Sequence, residues 1–167
     1  DIADGYAYRH DGVDLLVLGA VERGGGGCAC PESVLLRALV TDLVLYRDDA
    51  LVMDMEAGVE HLGRATAQGV DRMIVVVEPG RRSVDCAERV IRMAAEIGLP
   101  EIGFVANKVT SPKDEAFIRG ALDGRELLGV IPHSEELRDS DMQGLSVLSQ
   151  APEAVLRAFE HILAGLC

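Results

Sequence analysis

Short apolar runs separated by stretches of helical periodicity constrain the fold of this chain more tightly than any other feature of its sequence. Leu15-Leu16-Val17-Leu18-Gly19-Ala20-Val21, Ala50-Leu51-Val52-Met53-Asp54, Arg72-Met73-Ile74-Val75-Val76-Val77 and Ile102-Gly103-Phe104-Val105-Ala106-Asn107 are apolar nearly throughout rather than alternating. That is the form of a strand whose sheet is covered on both faces. A weaker run, Leu127-Leu128-Gly129-Val130-Ile131, follows. Residues 31–46 put Val34, Leu35, Ala38, Leu39, Asp42, Leu43 and Tyr46 on one mostly apolar face, behind a Pro31 suited to a first helical turn. Residues 83–97 repeat Val84, Ala87, Val90, Ile91 and Ala94 at helical spacing, with Ser83 as the expected N-cap and Gly98 as the stop. Residues 152–163 are expected to form a closing helix. Buried strands alternating with amphipathic helices are βαβ units, so the expected fold is α/β, a mostly parallel sheet with helices on both faces. In such sheets ligands collect beyond the carboxyl ends of the strands.

With 167 residues, 49% of them hydrophobic, and no internal repeat, the chain is expected to form one domain over residues 1–167. A net charge of -12 speaks against nonspecific binding to nucleic acid, which needs basic surface to displace counterions from phosphates. Partners are expected among proteins, metals and small molecules. Cys28, Cys30, Cys86 and Cys167, in a chain with no signal-like start, read as reduced thiols of a cytoplasmic protein rather than a disulfide framework. The apolar runs are too short to span a bilayer and nothing resembles a lipidation signal, so no membrane partner is expected.

The expected strand ends carry the polar residues of interest. Asp54 closes an apolar run and opens Asp54-Met55-Glu56-Ala57-Gly58. A carboxylate there either holds a magnesium-bound water, while Gly58 lets a backbone N–H approach a terminal phosphate, or simply caps the next helix. Asn107-Lys108 ends another run. An Asn amide supplies the paired donor and acceptor that a purine edge requires, and the same residues also suit a plain turn. Pro132, after Gly129-Val130-Ile131, ends a third run with a turn able to complete a base pocket. The phosphate-cradling pattern Gly-x-x-x-x-Gly-Lys-[Ser/Thr] does not occur; the four glycines from Gly24 to Gly27 lead into Cys28, not Lys. Since that loop normally follows a first strand, and the sequence opens on Asp1 rather than Met, the chain is expected to begin inside its fold.

Cys28-Ala29-Cys30-Pro31 places two thiols one residue apart on that glycine-rich turn. In an extended chain such residues share a side, and the helix start at Pro31 favours the thiolate form. Two thiolates are half of a tetrahedral site, so the pair recruits two further ligands from this chain, meets its own copy in a second chain, or packs as two small residues. Cys86 reads as a packing residue beside Ala87 and Val90, and Cys167 carries no assigned role. His61 suits a phosphate contact, a partner contact or a cap, whereas His10, His133 and His161 show no ligand spacing. Glu135-Glu136 and Asp139-Ser140-Asp141 read as solvated surface.

The segment from Gly19 to Glu32 with its Cys-Ala-Cys-Pro, the segment Asp54-Met55-Glu56-Ala57-Gly58-Val59-Glu60-His61-Leu62-Gly63-Arg64, and Val105-Ala106-Asn107-Lys108 together resemble the CooC family. These are nickel-insertion ATPases for carbon monoxide dehydrogenase, in the MinD-like branch of P-loop NTPases. The resemblance runs from about Leu15 to the C-terminus and makes the chain the C-terminal portion of a MinD-like nucleotide-binding domain. It implies an ATP-dependent homodimer, with Cys28 and Cys30 of each protomer jointly holding one nickel or zinc ion across a twofold axis, and carbon monoxide dehydrogenase as client. It further implies that Asp54 serves magnesium and the attacking water, that Glu56 and Gly58 lie in the switch segment at the γ-phosphate, and that Asn107, with Lys108 and Pro132, binds the adenine of ATP or ADP. The family's phosphate loop, with two lysines, and its first switch precede the region this sequence covers. Without that positive charge at the phosphates, the chain alone is expected not to hydrolyse ATP efficiently. A MinD-like positioning ATPase with incidental cysteines, or a binding module without ATPase activity, are the alternatives.

Overall fold

The computed structural model describes residues 7–10, 12–17, 50–55, 70–99, 101–146 and 150–166. The chain divides into two compact units, Asp1–Gly69 and Val70–Cys167.

In the first unit, β1 (Tyr8–His10) and β2 (Val13–Leu15) form an antiparallel ribbon that pairs Tyr8 with Leu15 and His10 with Val13. Gly12, in the turn that leads into β2, takes a left-handed φ of 81°, which glycine adopts without strain. Arg9 and Asp14, opposite one another, form an ion pair at 3.1 Å. The run beginning at Leu15 therefore departs from expectation in its described part. It enters as one strand of a ribbon, with Val13, Leu15 and Val17 exposed, rather than as a strand covered on both faces. Residues 50–55 likewise contain no strand, and Val52 is 87% exposed. An apolar run becomes a strand only when a neighbouring backbone pairs with it, and among the described residues no strand pairs with residues 50–55. The expected helix over 31–46 lies outside the described residues.

The second unit is built as the βαβ pattern requires. Its elements in chain order are β3 (Met73–Val77), α1 (Arg81–Glu96), β4 (Ile102–Val109), α2 (Pro112–Leu122), β5 (Leu127–Pro132), α3 (Glu135–Met142) and α4 (Glu153–Ala164). The three strands are parallel in the order β3-β4-β5, with Met73 to Val77 paired against Ile102 to Ala106. The sheet has helices on both faces. On one face Val84 and Ala87 of α1 and Ile118 and Leu122 of α2 cluster with Val75, Val77, Phe104, Ala106 and Val109. On the other, Ile162 of α4 packs with Val105 and Leu128. The expected α/β class with a parallel sheet is thus realised here. Burying a Phe104 or Ile118 side chain contributes about 2–3 kcal/mol.

The helix over 83–97 is present with a different start. Gly80, not Ser83, is the N-cap and makes no side-chain capping bond. The Ser83 hydroxyl instead accepts the Glu78 N–H at 2.9 Å, tying the strand exit to the first turn of α1. Gly98 does end the helix: its φ of 73° turns the chain so that the Leu99 N–H reaches the Ala94 carbonyl at 3.0 Å. Cys86 is a half-buried free thiol.

Candidate functional site

Because β3, β4 and β5 are parallel neighbours, their carboxyl ends lie side by side, which brings Glu78, Asn107-Lys108 and Pro132-His133 to one edge of the sheet. The ladder between β4 and β5 shifts register between Phe104, opposite Leu127, and Val105, opposite Gly129, and then runs to Ala106, opposite Val130. It resumes with Val109 opposite Pro132, so β4 carries one extra residue in a bulge at Asn107-Lys108. Lys108 has a φ of 56°, left-handed for a residue with a side chain, at a strain of about 1–2 kcal/mol. Bulges beside binding sites re-aim side chains, and strained backbone persists where its surroundings hold it in place.

Three contacts hold this turn. The Lys108 N–H donates to Asn107 Oδ1 at 3.0 Å. Since a backbone N–H can only donate, this bond fixes the amide orientation: the NH2 group and one remaining Oδ1 lone pair are left to present. The Lys108 ammonium meets Glu78 Oε1 at 2.7 Å, joining the ends of β3 and β4. Beyond Pro132, the His133 N–H donates to the Val109 carbonyl at 2.9 Å, closing the bulge on its other side.

Around the edge, β4 and β5 each hand over to a helix capped by a serine. Ser111 N-caps α2, its hydroxyl accepting the Asp114 N–H at 3.3 Å. Asp114 Oδ2 in turn accepts the Thr110 N–H at 3.0 Å and the Thr110 hydroxyl at 2.5 Å. The Thr110 hydroxyl, with its backbone N–H second, holds the Asp114 carboxyl below the usual aspartate range. Ser134 N-caps α3 by accepting the Leu137 N–H, and its hydroxyl donates to Glu136 Oε2 at 2.8 Å. The Glu136 backbone N–H first, and the Ser134 hydroxyl second, lower the Glu136 pKa.

Of the sequence-predicted residues, Asn107, Lys108 and Pro132 are brought together at this edge. Asp54 is exposed in the first unit. Glu56, Gly58, Cys28 and Cys30 lie outside the described residues. Among the described residues, no group of three or more His, Cys, Asp or Glu side chains is placed to hold a metal ion. Sequence reasoning missed Glu78, whose only signal was an acid followed by Pro79-Gly80 at a strand exit. The edge offers an amide with a donor and an acceptor, a proline ring as a flat apolar surface, and a lysine, which is chemistry suited to a purine.

No family model matches the chain. It is 38% identical over 168 residues to an uncharacterized ATP-binding protein of Methanocaldococcus jannaschii, spanning 98% of this chain and 65% of that protein. It is 39% identical over 152 residues to the carbon monoxide dehydrogenase accessory protein CooC of Rhodospirillum rubrum, spanning 91% of this chain and 58% of that protein. The chain is a homologue of CooC. It therefore spans about three fifths of the length of these relatives. The fold likeness agrees with this homology. A ParA family ATPase from Chlorobium tepidum matches with a TM-score of 0.73 at 19% identity, over 99% of this chain and 68% of that one. The MinD cell division protein of Aquifex aeolicus matches at 0.69 and 20%, over 80% and 60%. MinD of Pyrococcus horikoshii, solved with Mg-ADP, matches at 0.56 and 23%, over 80% and 58%. The CooC homologue thus shares the fold of MinD and of the ParA family ATPase. No helix among its described residues is long and apolar enough to cross a membrane.

Proposed function

We propose that this CooC homologue acts within an ATP-dependent metallochaperone that carries nickel, or zinc, between two copies of the chain and assists nickel insertion into carbon monoxide dehydrogenase in the cytoplasm. Cys28 and Cys30 of each copy supply the four thiolates, a soft, closed ligand set for one ion. Asn107 reads adenine, with Lys108 and Pro132 beside it. Asp54 serves magnesium and the attacking water, and Glu56 and Gly58 sense the γ-phosphate. ATP closes the dimer and hydrolysis reopens it, so nucleotide state and metal affinity are coupled through the geometry of the shared thiolates. The observation that carries this reading is the convergence of Asn107, Lys108 and Pro132 at one sheet edge in a CooC homologue that also has Cys28-Ala29-Cys30-Pro31.

Native mass spectrometry of the chain titrated with nickel tests the metal half. The expected species is one nickel per two chains, absent in the Cys28→Ser/Cys30→Ser double variant. One nickel on each single chain, or undiminished binding by the double variant, contradicts it.

A further inference from the structure

We propose that Glu78 and Lys108 are positioning residues for Asn107: their ion pair holds the β4 bulge in the conformation that presents the amide to an adenine rather than a guanine. The inference rests on the nucleotide reading of this edge and adds the device that sets base preference. Lys108 occupies a left-handed conformation that glycine adopts without strain. A side chain kept at such a position points to a role for the side chain itself, and the Lys108 ammonium has one clear partner, Glu78 Oε1 at 2.7 Å. Glu78 is itself anchored, because its N–H donates to the Ser83 hydroxyl at 2.9 Å in the first turn of α1. The bulge is thus pinned from β3 by the ion pair and from β5 by the His133 N–H on the Val109 carbonyl.

The consequence falls on Asn107. With one Oδ1 lone pair taken by the Lys108 N–H at 3.0 Å, the amide presents its NH2 and a single acceptor site. An adenine edge offers a ring nitrogen to accept and an amino group to donate, matching both. Guanine places a carbonyl oxygen where the adenine amino group would be, so its acceptor faces the Asn107 oxygen and one pairing is lost. A bulge free to turn would let the amide rotate and blur that difference.

The test is titration of the complete natural chain, with magnesium, against mantADP and mantGDP, the readout being the ratio of the two dissociation constants. Both side chains are about half exposed, at 59% for Lys108 and 50% for Glu78. Glu78→Gln and Lys108→Gly are therefore expected to cut the ratio about three- to fivefold, as an exposed pair allows. The Glu78→Lys/Lys108→Glu exchange is expected to recover most of it. Asn107→Ala is expected to bring the ratio close to one. If Lys108→Gly and Glu78→Gln keep the wild-type ratio while Asn107→Ala loses it, the base site stands and the positioning pair is overturned. If Asn107→Ala keeps the ratio, the base-reading assignment falls and the positioning role falls with it.

Discussion

Gly129 of β5 and Ile162 of α4 are in such close approach that a methyl group on Gly129 would overlap Ile162 Cγ1. Glycine is there for space, since Gly129 is absent from the residues with a left-handed backbone. Gly129→Ala is expected to destabilise the fold by about 1–3 kcal/mol, as overpacking does. The Ile162→Ala change alone removes a buried side chain, at about 2–5 kcal/mol. Because the added methyl group partly fills the space left by Ile162, the double variant is expected to lose less than the sum. Urea denaturation of the single and double variants measures this coupling, and strict additivity would show that α4 does not rest on Gly129.

Arg72 ties the opposite end of the sheet. Its guanidinium donates to Glu101 Oε2 at 2.8 and 3.0 Å and to the Gly165 carbonyl at 3.0 Å, with Glu126 at 3.8 Å. Glu101 and Glu126 precede β4 and β5, and Gly165 is the C-cap of α4, where a cation complements the helix dipole. Arg72→Lys keeps the charge but not the fork of donors. Both Arg72→Lys and Arg72→Ala are expected to lower stability, the alanine by about 1–2 kcal/mol given the exposure of the acids. Thermal melts in low and high salt check this: the difference from wild type narrows with salt but persists through the Gly165 bond.

Acid sensitivity has a named contributor in Asp114. Its pKa is lowered in the folded chain, chiefly by the Thr110 hydroxyl. A carboxylate whose folded pKa lies below its unfolded value contributes stability that is fully present above the unfolded pKa. That contribution is lost as pH falls through the folded pKa. Asp114→Asn is therefore expected to destabilise the fold near neutral pH and to flatten the loss of stability below about pH 4. Equilibrium unfolding at a series of pH values reads this directly. An unchanged acid limb in the variant would assign the sensitivity to other groups.

How much was legible beforehand follows from which residues carry information locally. β4 was plain because both faces of a central parallel strand are apolar, β3 because Met73 to Val77 is an unbroken apolar run, and α1 because Val84, Ala87 and Ala94 repeat along one buried face. The start of α1 was misread because the Ser83 hydroxyl serves the Glu78 N–H instead of a cap. Helices α2 and α3 were not drawn: α2 buries only Ile118 and Leu122 and α3 only Ser140, too little for a periodic signal. Their caps, Ser111-Pro112 with Asp114, and Ser134 with Glu136, were readable in principle. So was Asp11-Gly12, the turn signal of the ribbon that Leu15 joins. The places of Asn107 and Pro132 at strand ends were readable because strand ends are visible in sequence. Glu78 was not, because its partner Lys108 reaches it only through the parallel register of β3 and β4.

Coupling between nucleotide and a shared nickel ion is the central claim, and sedimentation velocity of the complete natural chain with nickel, in the presence of Mg-ATP, Mg-ADP or neither, tests it most directly. The expected result is a dimer holding one nickel per two chains, most populated with ATP. In the Cys28→Ser/Cys30→Ser variant the ATP-dependent dimer is expected to form without metal. Nickel bound one per chain, or bound equally tightly in all three nucleotide conditions, would contradict the account.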